Sequence, residues 1–544
     1  MRHSSSGAGS AASSSALRRD AKIIGLLFAS VTSMIGSGWL FGSFHAAKIA
    51  GPLAIWSWVV GAIIIMLIAL CFAELASLFP KSGALVHMSH ASHGDGLGRI
   101  WGWMLFLSYV AVPPVEAEGI VTYANNYIPG LIAKGGSGVL TATGFVVCAI
   151  LLLLFVALNL LAIRLLLRLN STITWWKIAV PLLTALVLIF SATGHPSAMG
   201  ADPTGYHVSG IFLALPAAGI VFSYLGFRTA IDLGGESSNP GKHIPMAVIG
   251  SVLLAAVVYI LLQVGFLSAL RPSDLTHGWA QLNFAGAMGP FAGLASMLGM
   301  SWLAFILYVD AYVSPGGTGL MYVTGGSRVL YALGEMRGGP AWLTLLNGAG
   351  VPWLSVALMW IVGVIFLLPF PAWQLMVNYI TSITVLTYGL GPVTLLVLRR
   401  NLPNAQRKFY LPAAGIIAPV AFICSNLIVL WSGFMTVSVL MLIVGIGFLV
   451  YAAWYHFVAH RSAEEFGWRE ILWLLPWFGG MWVITALGGV GGGLGWLGFW
   501  PAVIVTIIWS LIVIALAVRC ALVAEETASI MAQMSDTSRT ADMI

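Results

Sequence analysis

Long apolar runs separated by short polar connections dominate the chain. Fourteen of them reach or approach the ~20 residues that an α-helix needs to cross a ~30 Å hydrocarbon core. They lie near 23–50, 52–79, 100–128, 141–163, 172–192, 211–236, 246–270, 292–333, 353–370, 374–398, 411–432, 434–457, 471–488 and 498–520. Two runs, five spans apart, are broken in the middle. The first, Ile23 to Ala50, is interrupted at Ile35-Gly36-Ser37-Gly38. The sixth, Ile211 to about Glu236, is interrupted around Tyr224-Leu225-Gly226-Phe227-Arg228 and again at Gly234-Gly235. Backbone in hydrocarbon must satisfy its own hydrogen bonds, so an unwound stretch survives only where it lines a cavity. A matched pair of interrupted helices points to a transporter's binding site near the bilayer midplane.

Composition excludes a water-soluble particle. The chain has 544 residues, 59% hydrophobic and 8% charged, with a mean hydropathy of +0.96, against roughly 25% charged residues in soluble proteins. The net charge of +6 would suggest an acidic partner in a soluble protein. Here its distribution matters more, and the partners expected are membrane lipid and a small molecule, not nucleic acid. With the N-terminus inside, cytoplasmic segments collect Arg18, Arg19, Lys22, Lys81, Arg99, Arg399, Arg400, Arg407 and Lys408 among others, whereas outer segments hold Lys48, Lys134 and Arg271. The positive-inside rule places both termini in the cytoplasm.

The Ser/Ala/Gly-rich start reads as a disordered cytoplasmic tail over 1–20. The apolar run after Arg18-Arg19-Asp20 is too long for a signal peptide. Residues 411–520 form additional membrane helices and 521–544 a second cytoplasmic tail. Cys71, Cys148, Cys424 and Cys520 lack metal spacing and read as packing residues. Trp101, Trp103, Trp175 and Trp176 near span ends read as interfacial anchors. His87, His90 and His93 have helical spacing but lack supporting ligands apart from Asp95, which favours a solvated or pH-sensitive face over a metal site. No Walker motif or nucleophile elbow is present, which argues against an ATP-driven pump and an intramembrane hydrolase.

Several buried polar residues carry the candidate chemistry. Breaking a helix at Gly36-Ser37-Gly38 exposes N–H groups at the positive end of its second half, a ready site for a carboxylate. The alternative is close helix packing of small residues. Arg228 brings a permanent charge into the core, where its fork suits a carboxylate. It either reads the side chain of an acidic substrate or neutralises Glu116, Glu118 or Asp310. Glu116 and Glu118 follow Pro113-Pro114 near the centre of the third span and point to different helix faces. Desolvation favours the neutral form of a carboxyl, so Glu116, Glu118 and Asp310 are candidate proton carriers, with internal ion pairing as the alternative. Asp232 is expected to face solvent below the second break, and Glu74 and Glu236 to make structural contacts.

These motifs resemble a known family. Met34-Ile35-Gly36-Ser37-Gly38-Trp39 and Ala73-Glu74-Leu75-Ala76-Ser77-Leu78-Phe79-Pro80-Lys81-Ser82-Gly83 are similar to the start of the amino acid–polyamine–organocation (APC) superfamily. Phe222-Ser223-Tyr224-Leu225-Gly226-Phe227, then Gly235-Glu236, Asn239-Pro240 and Ile244-Pro245, resemble its sixth helix, and Ser327-Arg328-Val329-Leu330-Tyr331-Ala332-Leu333 the end of its eighth. Asp310-Ala311-Tyr312 with Ser314-Pro315-Gly316-Gly317, and His277-Gly278-Trp279, look closest to the bacterial aspartate–proton symporter branch. The resemblance covers about residues 20–460.

It implies an all-α polytopic membrane protein with a LeuT-type transport core over 21–400, built of inverted five-helix repeats 21–192 and 211–400. With the additional C-terminal helices this makes about 14 transmembrane helices, in a bacterial cytoplasmic (inner) membrane. In such proteins backbone groups of the first break hold the substrate's carboxylate and amine, which maps onto Met34, Gly36, Ser37 and Gly38. The sixth helix contributes residues matching Phe222, Ser223, Leu225 and Gly226. The family's fifth-helix lysine, standing where sodium-coupled relatives bind a second sodium, matches Lys177; the alternative for Lys177 is snorkelling to an interface. The function implied is proton-coupled symport of an acidic amino acid by alternating access, by a protein that is not an enzyme and needs no cofactor beyond the proton as coupling ion. An amino acid/amine antiporter and a non-transporting sensor are the alternatives.

Overall fold

A computed structural model of the chain describes residues 22–78, 84–133, 138–191, 206–234, 237–336, 339–348, 350–368, 372–458, 460 and 467–543. The expected tail 1–20 and Glu236, Lys81 and Lys134 lie outside the described residues. The protein is all-helical and polytopic; pairing of extended backbone is limited, among the described residues, to three isolated bridges.

The first apolar run is two helices, α1 (Ile23–Met34) and α2 (Ser37–Ala50), followed by α3 (Ala54–Leu78). Next come α4 (Ala84–Val110), α5 (Val112–Ala124) and the helical stretch α6 (Ala142–Ser191). The sixth run comprises α7 (Val208–Ala217), α8 (Ile220–Tyr224), a 3-10 turn (Leu225–Arg228) and α9 (Thr229–Asp232). The core continues with α10 (Pro240–Ala269), α11 (Pro290–Met297), α12 (Ser301–Glu335), α13 (Trp353–Leu367) and α14 (Trp373–Asn401). The remainder is α15 (Ala414–Ser432), α16 (Phe434–Ala453), α17 (Trp468–Ile471), α18 (Leu474–Leu487), α19 (Phe499–Cys520) and α20 (Ala524–Met543).

Among the described residues, ten helices are long and apolar enough to cross a membrane, eleven if the bent pair α7 with α8–α9 counts as one span. The shortfall from about fourteen has three sources. The break leaves α1 with 12 residues while α2 runs on with α3 as one 42-residue span. At 15 residues α13 is short. Finally α12, although 35 residues long, carries Asp310, Arg328, Glu335 and many Gly, Ser and Thr.

Local chemistry explains the interruptions. Pro113 and Pro114 start α5 in its first turn, where the missing N–H costs nothing and the fixed φ suits a helix. The sixth run bends by 59° between α7 and α8. The bend lies at Ala218-Gly219, earlier than the sequence suggests, and Gly219 takes a left-handed φ of 76° that only glycine adopts without strain. The expected interruption at Tyr224–Arg228 is a tightened 3-10 turn.

The C-terminal helices brace this core. Asn426 of α15 accepts from Trp477 Nε1 of α18 (2.8 Å) and donates to Ser510 of α19 (2.9 Å). Trp101 is not an interfacial anchor: it is buried and stacks on Trp477. Glu74 is fully buried at the end of α3 and binds Arg399, Arg407 and the backbone N–H of Leu411.

Candidate functional site

A broken helix leaves backbone carbonyls without intrahelical donors, and in hydrocarbon something must supply them. The two breaks share their donors. Tyr259 of α10 directs its hydroxyl to Met34 O (2.9 Å) and Ser223 O (3.1 Å), joining both breaks. Tyr388 of α14 donates to Leu225 O (2.7 Å). Ser30 of α1 donates to Phe227 O (3.1 Å) and accepts from Ala230 N (3.0 Å). Contact between the segments is close: a Cβ on Gly226 would meet Met34 N, and one on Gly38 would meet Ser223 Oγ. Gly38 is itself helical, within α2, so it serves close approach and not backbone unwinding. Met34, Ser37, Phe222, Ser223, Leu225, Gly226 and Arg228 are all buried.

At the positive end of α2, the N–H of Ser37 is already engaged. Glu116 of α5 accepts it through Oε2 at 2.6 Å. The carboxylate expected there from substrate is supplied by the protein. A Cβ on Gly36 would strike the same carboxyl and Thr318 Oγ1, so glycine is what lets Glu116 reach the helix end. Trp373, the first residue of α14, donates from Nε1 to Ser37 Oγ (2.9 Å) and packs on Phe41 and Phe222.

Lys177 lies in α6 with no exposure, so it does not snorkel. Its ammonium donates to Thr32 O (2.6 Å), Ser314 O (2.8 Å) and Thr318 Oγ1 (2.9 Å). Three convergent oxygens from α1 and α12 are a cation's environment, and here the ammonium fills it with all three of its donors. Thr318 also donates to Thr32 O (2.9 Å). Asp310 approaches the same cluster: its Oδ1 accepts from Ser314 Oγ and Trp176 Nε1, both at 2.8 Å. Trp176 therefore does more than anchor an interface, whereas Trp175 is 62% exposed.

Glu116 and Glu118 face different elements, as their spacing requires. Glu118 lies against the backbone N–H of Trp373, and neither of its oxygens makes a hydrogen bond. Arg228 pairs with none of Glu116, Glu118 and Asp310. Its guanidinium sits over the ring of Tyr109 at 3.7 Å, with Tyr322 at 5.4 Å and Tyr388 at 5.7 Å, and donates to Ser108 Oγ at 2.8 Å. Such cation–π contacts are worth ~2 kcal/mol or more when desolvated. Asp232 does not face solvent: it is buried and accepts the Tyr109 hydroxyl. The histidines do not converge. His93 is buried between Ser92 and Ala517 O, and His90 faces Asp95.

Sequence reasoning missed Tyr259, Tyr388, Trp373, Tyr109 and Thr318. Lone aromatic and hydroxyl residues on apolar helices carry no motif, although Thr318 directly follows Gly316-Gly317. Comparison with known proteins agrees with this architecture. A family model described as Amino acid permease matches residues 22–475. The chain is 38% identical over 483 residues to the glutamate/serine transporter AimA of Bacillus subtilis (strain 168), covering 87% of this chain and 88% of that protein. It is 32% identical over 486 residues to the aspartate-proton symporter of the same organism, covering 88% and 92%. Similarity to the branched-chain amino acid permease BcaP of B. subtilis is 26% over 455 residues, covering 80% and 92%. The chain belongs to the amino acid permease family, within the APC superfamily, and is a transporter rather than an enzyme.

Proposed function

We propose that this protein is a secondary active transporter that carries an acidic amino acid, aspartate or glutamate, together with a proton by alternating access. It works in the bacterial cytoplasmic membrane with both termini inside, through a LeuT-type core of two inverted repeats. The observation that carries this reading is the carboxyl of Glu116 on the Ser37 N–H. A substrate carboxylate needs that same helix end, and two carboxylates cannot share it while both are charged. Protonation of Glu116 removes its charge and weakens its hold on Ser37, so that a charged substrate carboxylate displaces it. Proton and substrate then load together, and their departure lets Glu116 return.

The other site residues take complementary parts. Met34, Gly36, Ser37 and Gly38 form the cradle for the α-carboxylate and amine, and Phe222, Ser223, Leu225 and Gly226 its opposite wall. Arg228, whose described partners are neutral, is available to a distal carboxylate. Lys177 stands in for a sodium ion, with Asp310 in the same network. The relatives that carry aspartate with a proton, or glutamate and serine, support the same substrate class.

Glu116→Gln tests the coupling. The amide is permanently neutral, so the variant should bind and exchange substrate across proteoliposome membranes but fail to accumulate it on an imposed proton gradient. Accumulation by Glu116→Gln that still collapses with a protonophore would remove Glu116 from the proton's path.

A further inference from the structure

Two buried carboxyls, Glu118 and Asp232, have no part in the proposed cycle, and Asp232 lies beside Arg228 in sequence. Asp232 of α9 is 4% exposed and stands four residues after Arg228. That spacing puts the two side chains on one helix face, within reach of each other. They do not pair, because Tyr109 of α4 lies between them. Its ring carries the guanidinium at 3.7 Å while its hydroxyl donates to Asp232 Oδ2. Arg228 Nε and Asp232 Oδ1 are both buried and make no hydrogen bond. Around them stand Ser108 on α4, Tyr322 and Arg328 on α12, and Tyr388 on α14.

Buried charges normally sit in direct ion pairs, because unpaired burial is costly. Arg228 instead has a hydroxyl, a carbonyl and rings. That arrangement leaves it hungry for an anion, which favours capture of a distal carboxylate but opposes its release. A carboxylate one ring away supplies what release requires.

We propose that Tyr109 and Asp232 are positioning residues for Arg228: Asp232, held back by the Tyr109 hydroxyl, takes the guanidinium over from the substrate's distal carboxylate and frees that carboxylate toward the cytoplasm. The inference rests on the acidic-substrate reading. Tyr109 is the moving part. While its ring fills the space between them, Arg228 faces the substrate; when it withdraws, Arg228 and Asp232 meet.

The two positions give opposite signs. Asp232→Asn removes the competing charge, so KM for aspartate should fall, by roughly tenfold for two charges a ring's width apart in a medium of intermediate polarity. Its kcat should fall too, because release slows. Tyr109→Phe removes the hydroxyl that tethers the ring to Asp232, so the ring withdraws more readily, Asp232 reaches Arg228, and KM for aspartate should rise. The double variant should resemble Asp232→Asn alone. Each value is read in proteoliposomes against a small neutral amino acid on the same preparation, with thermal stability alongside. A KM that rises in Asp232→Asn, or equal changes for acidic and neutral substrates, would overturn the proposal. Should Asp232→Asn fail to fold, Tyr109→Phe decides alone: an unchanged or lowered KM for aspartate overturns it. A wild-type protein that carries no acidic amino acid would instead defeat the underlying reading of substrate charge.

Discussion

Replacing Lys177 by alanine should abolish concentrative uptake, the largest single effect expected at this site. The change leaves Thr32 O, Ser314 O and Thr318 Oγ1 without the ammonium they share. Thr32 O keeps its bond from Thr318 Oγ1, so what is lost is the ammonium's charge-assisted bonds joining α6 to α1 and α12, ~1.5–3 kcal/mol each, against a total stability of ~5–15 kcal/mol. Arginine should not rescue, because a planar fork cannot present three donors to three convergent oxygens. The same geometry predicts that wild-type uptake is indifferent to sodium, since the ammonium already occupies the cation's place. Uptake by Lys177→Ala and Lys177→Arg, with and without sodium, checks both statements, and the folded fraction after detergent extraction separates loss of transport from loss of protein. Wild-type rates in Lys177→Ala, or sodium-dependent uptake by the native protein, would contradict this role.

Arg228→Ala should lose aspartate and glutamate far more than a small neutral amino acid. A charge-assisted hydrogen bond to a buried carboxylate is worth ~1.5–3 kcal/mol, about one to two decades of affinity. The competing expectation, that removing Arg228 strands a paired carboxylate and injures folding, applies to an ion pair with Glu116, Glu118 or Asp310. None of these pairs forms. Ser108, which accepts from Arg228, keeps its own bond to Leu105 O. Competitive uptake and thermal shift on this one variant distinguish the cases. Equal loss across acidic and neutral substrates would remove the acidic specificity and leave the permease standing.

The contrast between Glu116 and Arg228 shows what a sequence carries and what it withholds. Gly-Ser-Gly inside an apolar run is a local signal, so the first break and its positive helix end are legible without a structure. The carboxyls of α5 are legible as costly residues in hydrocarbon. That one of them fills the helix end is not, because the contact joins residues 79 positions apart. The second break is harder to place: Gly219 ends an Ala-Ala-Gly stretch that resembles ordinary small-residue packing, whereas Gly226 and Arg228 draw attention in a segment that only tightens to a 3-10 turn. Tyrosines from α4, α12 and α14 build the cage around Arg228. No spacing along the chain reports such convergence, and for the same reason Asp232 reads from sequence as a solvent-facing residue. Hydropathy alone passes over helices whose polar residues serve the site, as in the 35-residue α12.

In the proposed cycle, substrate charge and proton entry meet at one helix end. The cycle's most direct test is uptake by proteoliposomes of the purified wild-type protein. Labelled aspartate, glutamate and a small neutral amino acid are each presented with an inward proton gradient, and again without one. Accumulation of an acidic amino acid that requires the gradient, persists without sodium and collapses with a protonophore is the result predicted. Accumulation driven by sodium alone, or of neutral amino acids with aspartate and glutamate neither carried nor competing, would contradict the account.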